Sequence, residues 1–93
     1  TLGTHIRTTW PSMVEAIGHT GHYDYVEFVA EYAPFDLHDL DNLGRAGDLC
    51  DLSMMIKVDA EHRAYVAQRA VGSGFHSVLF ADVRSAEEAA ECV

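Results

Sequence analysis

Four short runs rich in β-forming residues recur along this chain, Leu2 to Ile6, Tyr25 to Val29, Met54 to Val58 and Ser77 to Phe80, with a helical segment after each. No other feature narrows the fold as much. The run centres fall near residues 4, 27, 56 and 79, a spacing that suits repeated right-handed βαβ crossovers, which need roughly 30 residues per unit. The order β-α-β-α-β-α-β-α therefore predicts an α/β protein with parallel β/α repeats. Tyr25 to Val29 is apolar except at Glu27, the pattern expected of a parallel strand covered on both faces.

The helices carry their own punctuation. Pro11 suits a first helical turn, where its missing N–H costs nothing, and Gly18 or Gly21 ends that helix. Met13, Val14 and Ile17 share its apolar face. Asp36 caps a second helix, in which Leu37, Leu40 and Leu43 recur at a spacing of three and Asp39 adds charge to the first turn. Gly44 and Gly47 are expected to weaken its far end. Asp59 is the expected cap of a third helix, which presents Tyr65, Val66, Arg69 and Ala70 before Gly72 and Gly74 stop it. Ser85-Ala86-Glu87-Glu88 fits a capping box for a fourth, and the chain breaks off within that helix at Val93.

Two architectures accommodate four such units: a small doubly wound sheet, or the first half of a (βα)8 TIM barrel that takes about 250 residues to close. The start at Thr1 and the interrupted last helix favour the second, so residues 1–93 are expected to form a single segment, the N-terminal part of a barrel domain. A free half-barrel exposes the edges of its first and fourth strands, and exposed edges invite pairing, so the other half is expected in the native protein.

Composition removes several function classes. Lys and Arg total 6 against 15 Asp and Glu, a formal charge of −9, which argues against nucleic acid as a partner because phosphate binding depends on clustered cations. No apolar run approaches the roughly 20 residues that cross a bilayer, and no secretory leader pattern is present, so a soluble cytoplasmic protein is expected, with no membrane partner. Cys50 and Cys92 match neither a metal knuckle nor a disulfide framework, and reduced thiols are expected. The six histidines form no metal signature: His19 and His22 lie in a turn with no completing ligand, His62 and His76 read as surface and turn residues, and His5 reads as a satisfied core histidine. Gly72-Ser73-Gly74 runs from helix to strand, the wrong order for a phosphate loop.

Parallel β/α folds place ligands at the carboxyl ends of their strands. The residues just after each strand are Arg7 and Thr8, Glu31 and Tyr32, Lys57 and Asp59, and Asp82 and Arg84. This polar mouth gives the candidate site. Glu31 orients a ligand or makes a structural ion pair, and Tyr32 donates a hydrogen bond or a proton or packs as a ring. Lys57 ends an apolar strand, where an ammonium needs a carboxylate such as Glu31 or Asp82, or an anionic substrate, beside it.

Six segments in order resemble the HpcH/HpaI aldolase family: Leu2-Gly3, Tyr23-Asp24-Tyr25-Val26, Glu31-Tyr32-Ala33-Pro34, Met55-Ile56-Lys57-Val58, Gly74-Phe75, and Val83-Arg84-Ser85-Ala86-Glu87-Glu88-Ala89. The resemblance implies a TIM barrel of the phosphoenolpyruvate/pyruvate-binding superfamily, a homo-oligomer, usually a hexamer, and a class II carbon–carbon lyase acting on a small-molecule 2-oxo acid. It also implies a divalent metal, Mg or Mn, that holds pyruvate enolate and whose ligands come from later strands, outside residues 1–93; the chain itself offers none.

Two departures bear on mechanism. The family's second-strand motif reads Asp-x-Glu-His-Ala-Pro, and this chain has Val29, Ala30, Glu31, Tyr32, Ala33 and Pro34 there. Glu, Ala and Pro are kept, but the general base and its orienting Asp are both replaced. Where the family has an Arg for the substrate carboxylate, this chain has Lys57, which supplies charge without the planar fork. The resemblance thus implies Tyr32 and Glu31 in catalytic positions, with Lys57, Arg7 and Asp82 as substrate-binding candidates. Two other readings stay open: a Schiff-base lyase with Lys57 as nucleophile, and a degenerate barrel that binds an acidic metabolite or a partner chain.

Overall fold

The computed structural model describes residues 1–93 as one four-stranded sheet with four helices. The elements are β1 (Gly3–Ile6), α1 (Pro11–Thr20), β2 (Tyr25–Val29), α2 (Leu37–Leu49), β3 (Ser53–Val58), α3 (Arg63–Gly72), β4 (Ser77–Phe80) and α4 (Ala86–Cys92). All strands are parallel, in the order β1-β2-β3-β4. A doubly wound sheet would reverse direction part-way; here every crossover moves one strand onward in the same sense. Repeated right-handed crossovers in one direction put the helices on one face of the sheet, as in the wall of a (βα)8 barrel.

Side-chain alternation follows from that arrangement. Ile6, Val26, Phe28, Met54, Ile56 and Val58 point to the helix side, where they pack with Val14 of α1, Leu40 and Leu43 of α2 and Ala70 of α3. The other face carries no helix. It presents His5 from β1, Tyr25 and Glu27 from β2, Met55 and Lys57 from β3 and Leu79 from β4, and none of these is fully buried. The expectation that β2 is covered on both faces is thus corrected within this chain, and Glu27, its single break in apolar character, marks the uncovered side. His5 likewise is exposed and is not a core histidine. At the lower end of this face the ring of Tyr25 lies across Gly3, where any Cβ would collide with it.

Local signals set most element ends. Pro11 occupies the first turn of α1, and Gly21 closes that helix in the left-handed region at φ 71°. Asp36 and Asp39 form a reciprocal capping box: the Asp36 carboxylate accepts from the Asp39 N–H at 2.8 Å and Asp39 accepts from the Asp36 N–H at 2.9 Å. At α4 the Ser85 hydroxyl accepts from the Glu88 N–H, while the Glu88 carboxylate accepts from the Arg84 N–H in place of Ser85.

One expectation fails locally. Asp59 does not cap α3, which starts later at Arg63 after His62 takes a left-handed conformation at φ 58°. Gly44 and Gly47 do not end α2, which continues through both to Leu49. They are close-approach sites instead: a Cβ on Gly44 would strike the Ser73 carbonyl oxygen, and one on Gly47 the Met54 side chain. Helix α2 is therefore seated tightly on β3 and on the turn between α3 and β4. No helix is long and apolar enough to cross a membrane.

Candidate functional site

The carboxyl ends of the parallel strands share one edge of the sheet, and register fixes which residues stand level there. Ile6 pairs with Phe28, Val29 with Lys57, and Lys57 with Leu79. Arg7, one residue beyond Ile6, stands opposite Val29 and in the same row as Lys57. Alternation sends Lys57 to the face without helices, because its neighbours Ile56 and Val58 are buried on the helix side.

Glu31 and Tyr32 reach this row from the turn after β2. The Ala30 N–H donates to the Lys57 carbonyl at 3.1 Å, which extends the β2–β3 pairing by one bond and sets Glu31 above Lys57. The segment beyond is held from several sides. Ala33 is buried, Phe35 packs edge-on against Phe28 with ring centroids 5.7 Å apart, and the Asp36 capping box fixes the entry to α2. The loop thus presents Glu31 and Tyr32 from a rigid base.

Glu31 Oε1 lies 3.1 Å from Lys57 Nζ, with side-chain exposures of 10% for Glu31 and 29% for Lys57. The contact is short but misaligned, since Glu31 Oε1 is shut off from solvent and no donor is directed at it within hydrogen-bond angles. Hydrogen-bond-range contact with Glu31 is the main cause that raises the Lys57 pKa above its ordinary 10.5, with the charges of Glu31, Tyr32 and Glu27 adding to it and burial opposing. Lys57 is therefore an ammonium at neutral pH.

Tyr32 is 66% exposed, and its ring centroid lies 6.0 Å from Arg7 Cζ and 5.8 Å from Lys57 Nζ. Two cations from two strands flank one phenol, within the reach at which ring quadrupoles attract charge. The structure thus brings together four of the five residues singled out from the sequence, Arg7, Glu31, Tyr32 and Lys57. It does not bring in Asp82, which sits exposed after β4 with a left-handed φ of 57° and no ion pair to Lys57. Lys57 takes Glu31 as its counter-ion, so that alternative for the pair is settled.

The sequence reading left out Glu27. It stands on the uncovered face, in register with His5 and Met55, and adds to the field at Lys57. Its signal was present as the one charge inside an apolar strand. No group of three or more His, Cys, Asp or Glu side chains is placed to hold a metal ion. The divalent metal implied by the resemblance does not fit a donor set within these residues, and Glu31 is already engaged by Lys57.

Comparison with solved structures supports the fold. The chain superposes on an HpcH/HpaI aldolase from Desulfitobacterium hafniense DCB-2 with a TM-score of 0.83 and 24% identity, covering 99% of this chain and 35% of that one. An HpcH/HpaI aldolase/citrate lyase family protein from Burkholderia cenocepacia J2315 matches with a TM-score of 0.82 and 25% identity over 96% of this chain and 35% of that one. The citrate synthase SbnG matches with a TM-score of 0.82 and 23% identity, over 92% and 34% respectively. The chain spans about a third of the length of these structures. No protein-family model and no curated protein matches it. The resemblance read from the six sequence segments is thus matched by structural similarity to aldolases of that name, and the parallel half-barrel is the shared architecture.

Proposed function

We propose that this chain supplies part of the active site of a carbon–carbon lyase acting on a 2-oxo acid, with pyruvate-enolate chemistry and a substituted proton-transfer group. The observation that carries this reading is the meeting of Arg7, Glu31, Tyr32 and Lys57, from the ends of three adjacent strands, at the edge where parallel β/α folds bind ligands.

In the condensing direction the enolate carbon forms a bond to an aldehyde carbon, and the carbonyl electrons move onto the aldehyde oxygen. The Tyr32 O–H gives that oxygen its proton, with Arg7 and Lys57 within about 6 Å of the ring centroid. Cleavage is the reverse: the phenolate takes the hydroxyl proton, the carbon–carbon bond breaks, and its electron pair is left on the enolate. Arg7 and Lys57 supply positive charge for the substrate carboxylate, and Glu31 holds Lys57 in place. The divalent metal of the resemblance, Mg or Mn, would be held by residues outside this chain and would stabilise the enolate; a homo-oligomeric assembly in the cytoplasm belongs to the same reading.

The test is a retro-aldol assay on 4-hydroxy-2-oxo acids, with released pyruvate measured by a coupled reductase. Tyr32→Phe is expected to lower turnover by about 100-fold or more, the usual worth of a positioned proton-transfer group, and Lys57→Ala to lower it by leaving Glu31 without its counter-ion. Unchanged turnover in both removes these residues from the mechanism.

The Schiff-base reading for Lys57 is opposed by its raised pKa, because an amine nucleophile must be free of its proton and a neighbouring carboxylate keeps the proton on. Borohydride trapping with a 2-oxo acid is expected to give no adduct at Lys57. A binding-only barrel for an acidic metabolite draws support from one observation, the absence of His and Asp from the positions of the resemblance's base pair, which hold Tyr32 and Val29. Carboxylate binding without turnover on any 4-hydroxy-2-oxo acid would favour it.

A further inference from the structure

The chain's 6 cations are unevenly engaged. Arg45 pairs with Asp41, Arg63 with Glu88 and Glu91, and Lys57 with Glu31. Arg69 lies 4.8 Å over the Tyr65 ring. Arg84 stands exposed on the loop after β4. Arg7, like Arg69 and Arg84, has no carboxylate within 4.0 Å, in a chain with 15 Asp and Glu. It is nonetheless the cation that shares a row and an aromatic neighbour with Lys57.

Charge decides how these two cations divide the work. The Lys57–Glu31 pair sums to zero, so an incoming carboxylate meets a dipole there and must compete with Glu31 for the ammonium. Arg7 offers an uncompensated guanidinium with a planar fork suited to two parallel bonds to a carboxylate. A second mark of an incomplete site lies beside it. Glu31 Oε1 belongs to a side chain that is nine-tenths buried, and no donor is directed at it. Lys57 Nζ, 3.1 Å away, compensates its charge but lies outside hydrogen-bond angles, so the acceptor's bonding capacity is only partly met. A bound ligand, or a water carried with it, provides the donor.

We propose that Arg7, just after β1, holds the ligand's carboxylate, and that Lys57 serves as the counter-ion that positions Glu31 to accept a hydrogen bond from the ligand or its water. The anchor thus sits two strands away from the position at which the resemblance implies an Arg. The ligand class, a small 2-oxo acid, rests on the function proposed above; the placement of its carboxylate rests on the charges and register.

The experiment measures binding of pyruvate, and of propanoate as the carboxylate without the oxo group, to the wild-type chain and to Arg7→Ala and Arg7→Lys, by calorimetry and by the Arg7 side-chain 15N resonance. Arg7 is exposed, so neither substitution disturbs the core. Arg7→Ala is expected to weaken pyruvate binding about 10- to 100-fold, the worth of charge-assisted hydrogen bonds, with partial recovery in Arg7→Lys and a shift of the Arg7 resonance on titration. Equal binding of the two carboxylates, both lost in Arg7→Ala, supports the anchor and sinks the 2-oxo acid reading. Preferential pyruvate binding that is as tight in Arg7→Ala as in wild type overturns the anchor and leaves that reading standing. Failure of both carboxylates to bind the wild type overturns the anchor.

Discussion

Gly44→Ala sets intrinsic helix preference against packing, and the structure says which wins. In an exposed helix interior the change gains about 1 kcal/mol, because alanine is the better helix former. At Gly44 the new Cβ would run into the Ser73 carbonyl oxygen, stand 3.0 Å from the Ser73 carbonyl carbon and 3.5 Å from Gly74 Cα. All three are backbone atoms, so no rotamer change relieves the collision. Nor can the turn retreat easily: the Ser73 N–H donates to the Arg69 and Ala70 carbonyls at 3.0 Å, the Phe75 N–H also donates to the Ala70 carbonyl, and the Phe75 side chain is buried. Overpacking that must move backbone falls at the upper end of the usual cost of about 1–3 kcal/mol. The net expectation is a loss of about 2 kcal/mol, or about 8–16 °C in Tm for a domain of this size. Gly72→Ala is the matched control, since a Cβ there meets nothing within 4 Å, and it is expected to be neutral or to stabilise by up to about 1 kcal/mol. Urea titrations followed by far-UV circular dichroism give both values, with unchanged slope as the check that only stability moved. A Gly44→Ala midpoint at or above wild type would refute the close approach of α2 to the α3–β4 turn.

Other substitutions probe the core, the cap and the ion pair. Phe28→Ala removes a fully buried ring and the edge-on partner of Phe35, and about 3–5 kcal/mol of stability should go with it in the same urea assay. Asp36→Ala removes the carboxylate that accepts from the Asp39 N–H and keeps the backbone N–H that donates to Asp39; it should cost about 0.5–2 kcal/mol, with Asp36→Ser recovering part of it. Glu31→Gln should let the Lys57 pKa fall towards 10.5, readable from the Lys57 side-chain resonances in an alkaline titration. The sign for stability follows: a raised folded-state pKa gives stabilisation that is whole below 10.5 and disappears as pH rises through the folded value. Wild type should therefore lose stability above pH 10.5 more steeply than Glu31→Gln; parallel curves would show that the pair does not operate in solution.

Strand β2 and helix α2 show where the chain is easy to read. Tyr25 to Val29 is bounded by polar punctuation and matches the observed strand at both ends, and Asp36 with Asp39 announces a helix start through local hydrogen bonds that need no tertiary partner. The Asp59 expectation failed for the complementary reason. Asp59 is a competent cap residue, but the chain first turns through residues 59–62 and begins α3 only after His62 adopts a positive φ, a choice that depends on where α3 lands against the sheet. The close approach at Gly44 and Gly47 was likewise illegible, because their partners Ser73 and Met54 are distant in sequence and a helix-propensity scale contains no term for it.

The site divides along the same line. That polar residues gather at the carboxyl ends of parallel strands follows from topology alone, so Arg7, Glu31, Tyr32 and Lys57 could be named as a set before any distance was known. Their pairing could not. Glu31 and Asp82 were equivalent partners for Lys57 on paper, and the Ala30 N–H bond to the Lys57 carbonyl decides between them by holding the Glu31 turn directly over β3. Once Glu31 occupies Lys57, Arg7 is left as the unpaired cation, although it has the least distinctive sequence context of the four. The lysine on β3 is therefore coupled, through one backbone hydrogen bond and one ion pair, to the availability of a guanidinium fork just after β1. Placing an arginine at position 57 tests that coupling. In Lys57→Arg the guanidinium can engage Glu31 with two parallel bonds, so Arg7 should remain the ligand's anchor and pyruvate affinity should change by less than about threefold, well short of the 10-fold or greater loss expected of a true anchor. A gain of 10-fold or more would instead put the anchor on β3.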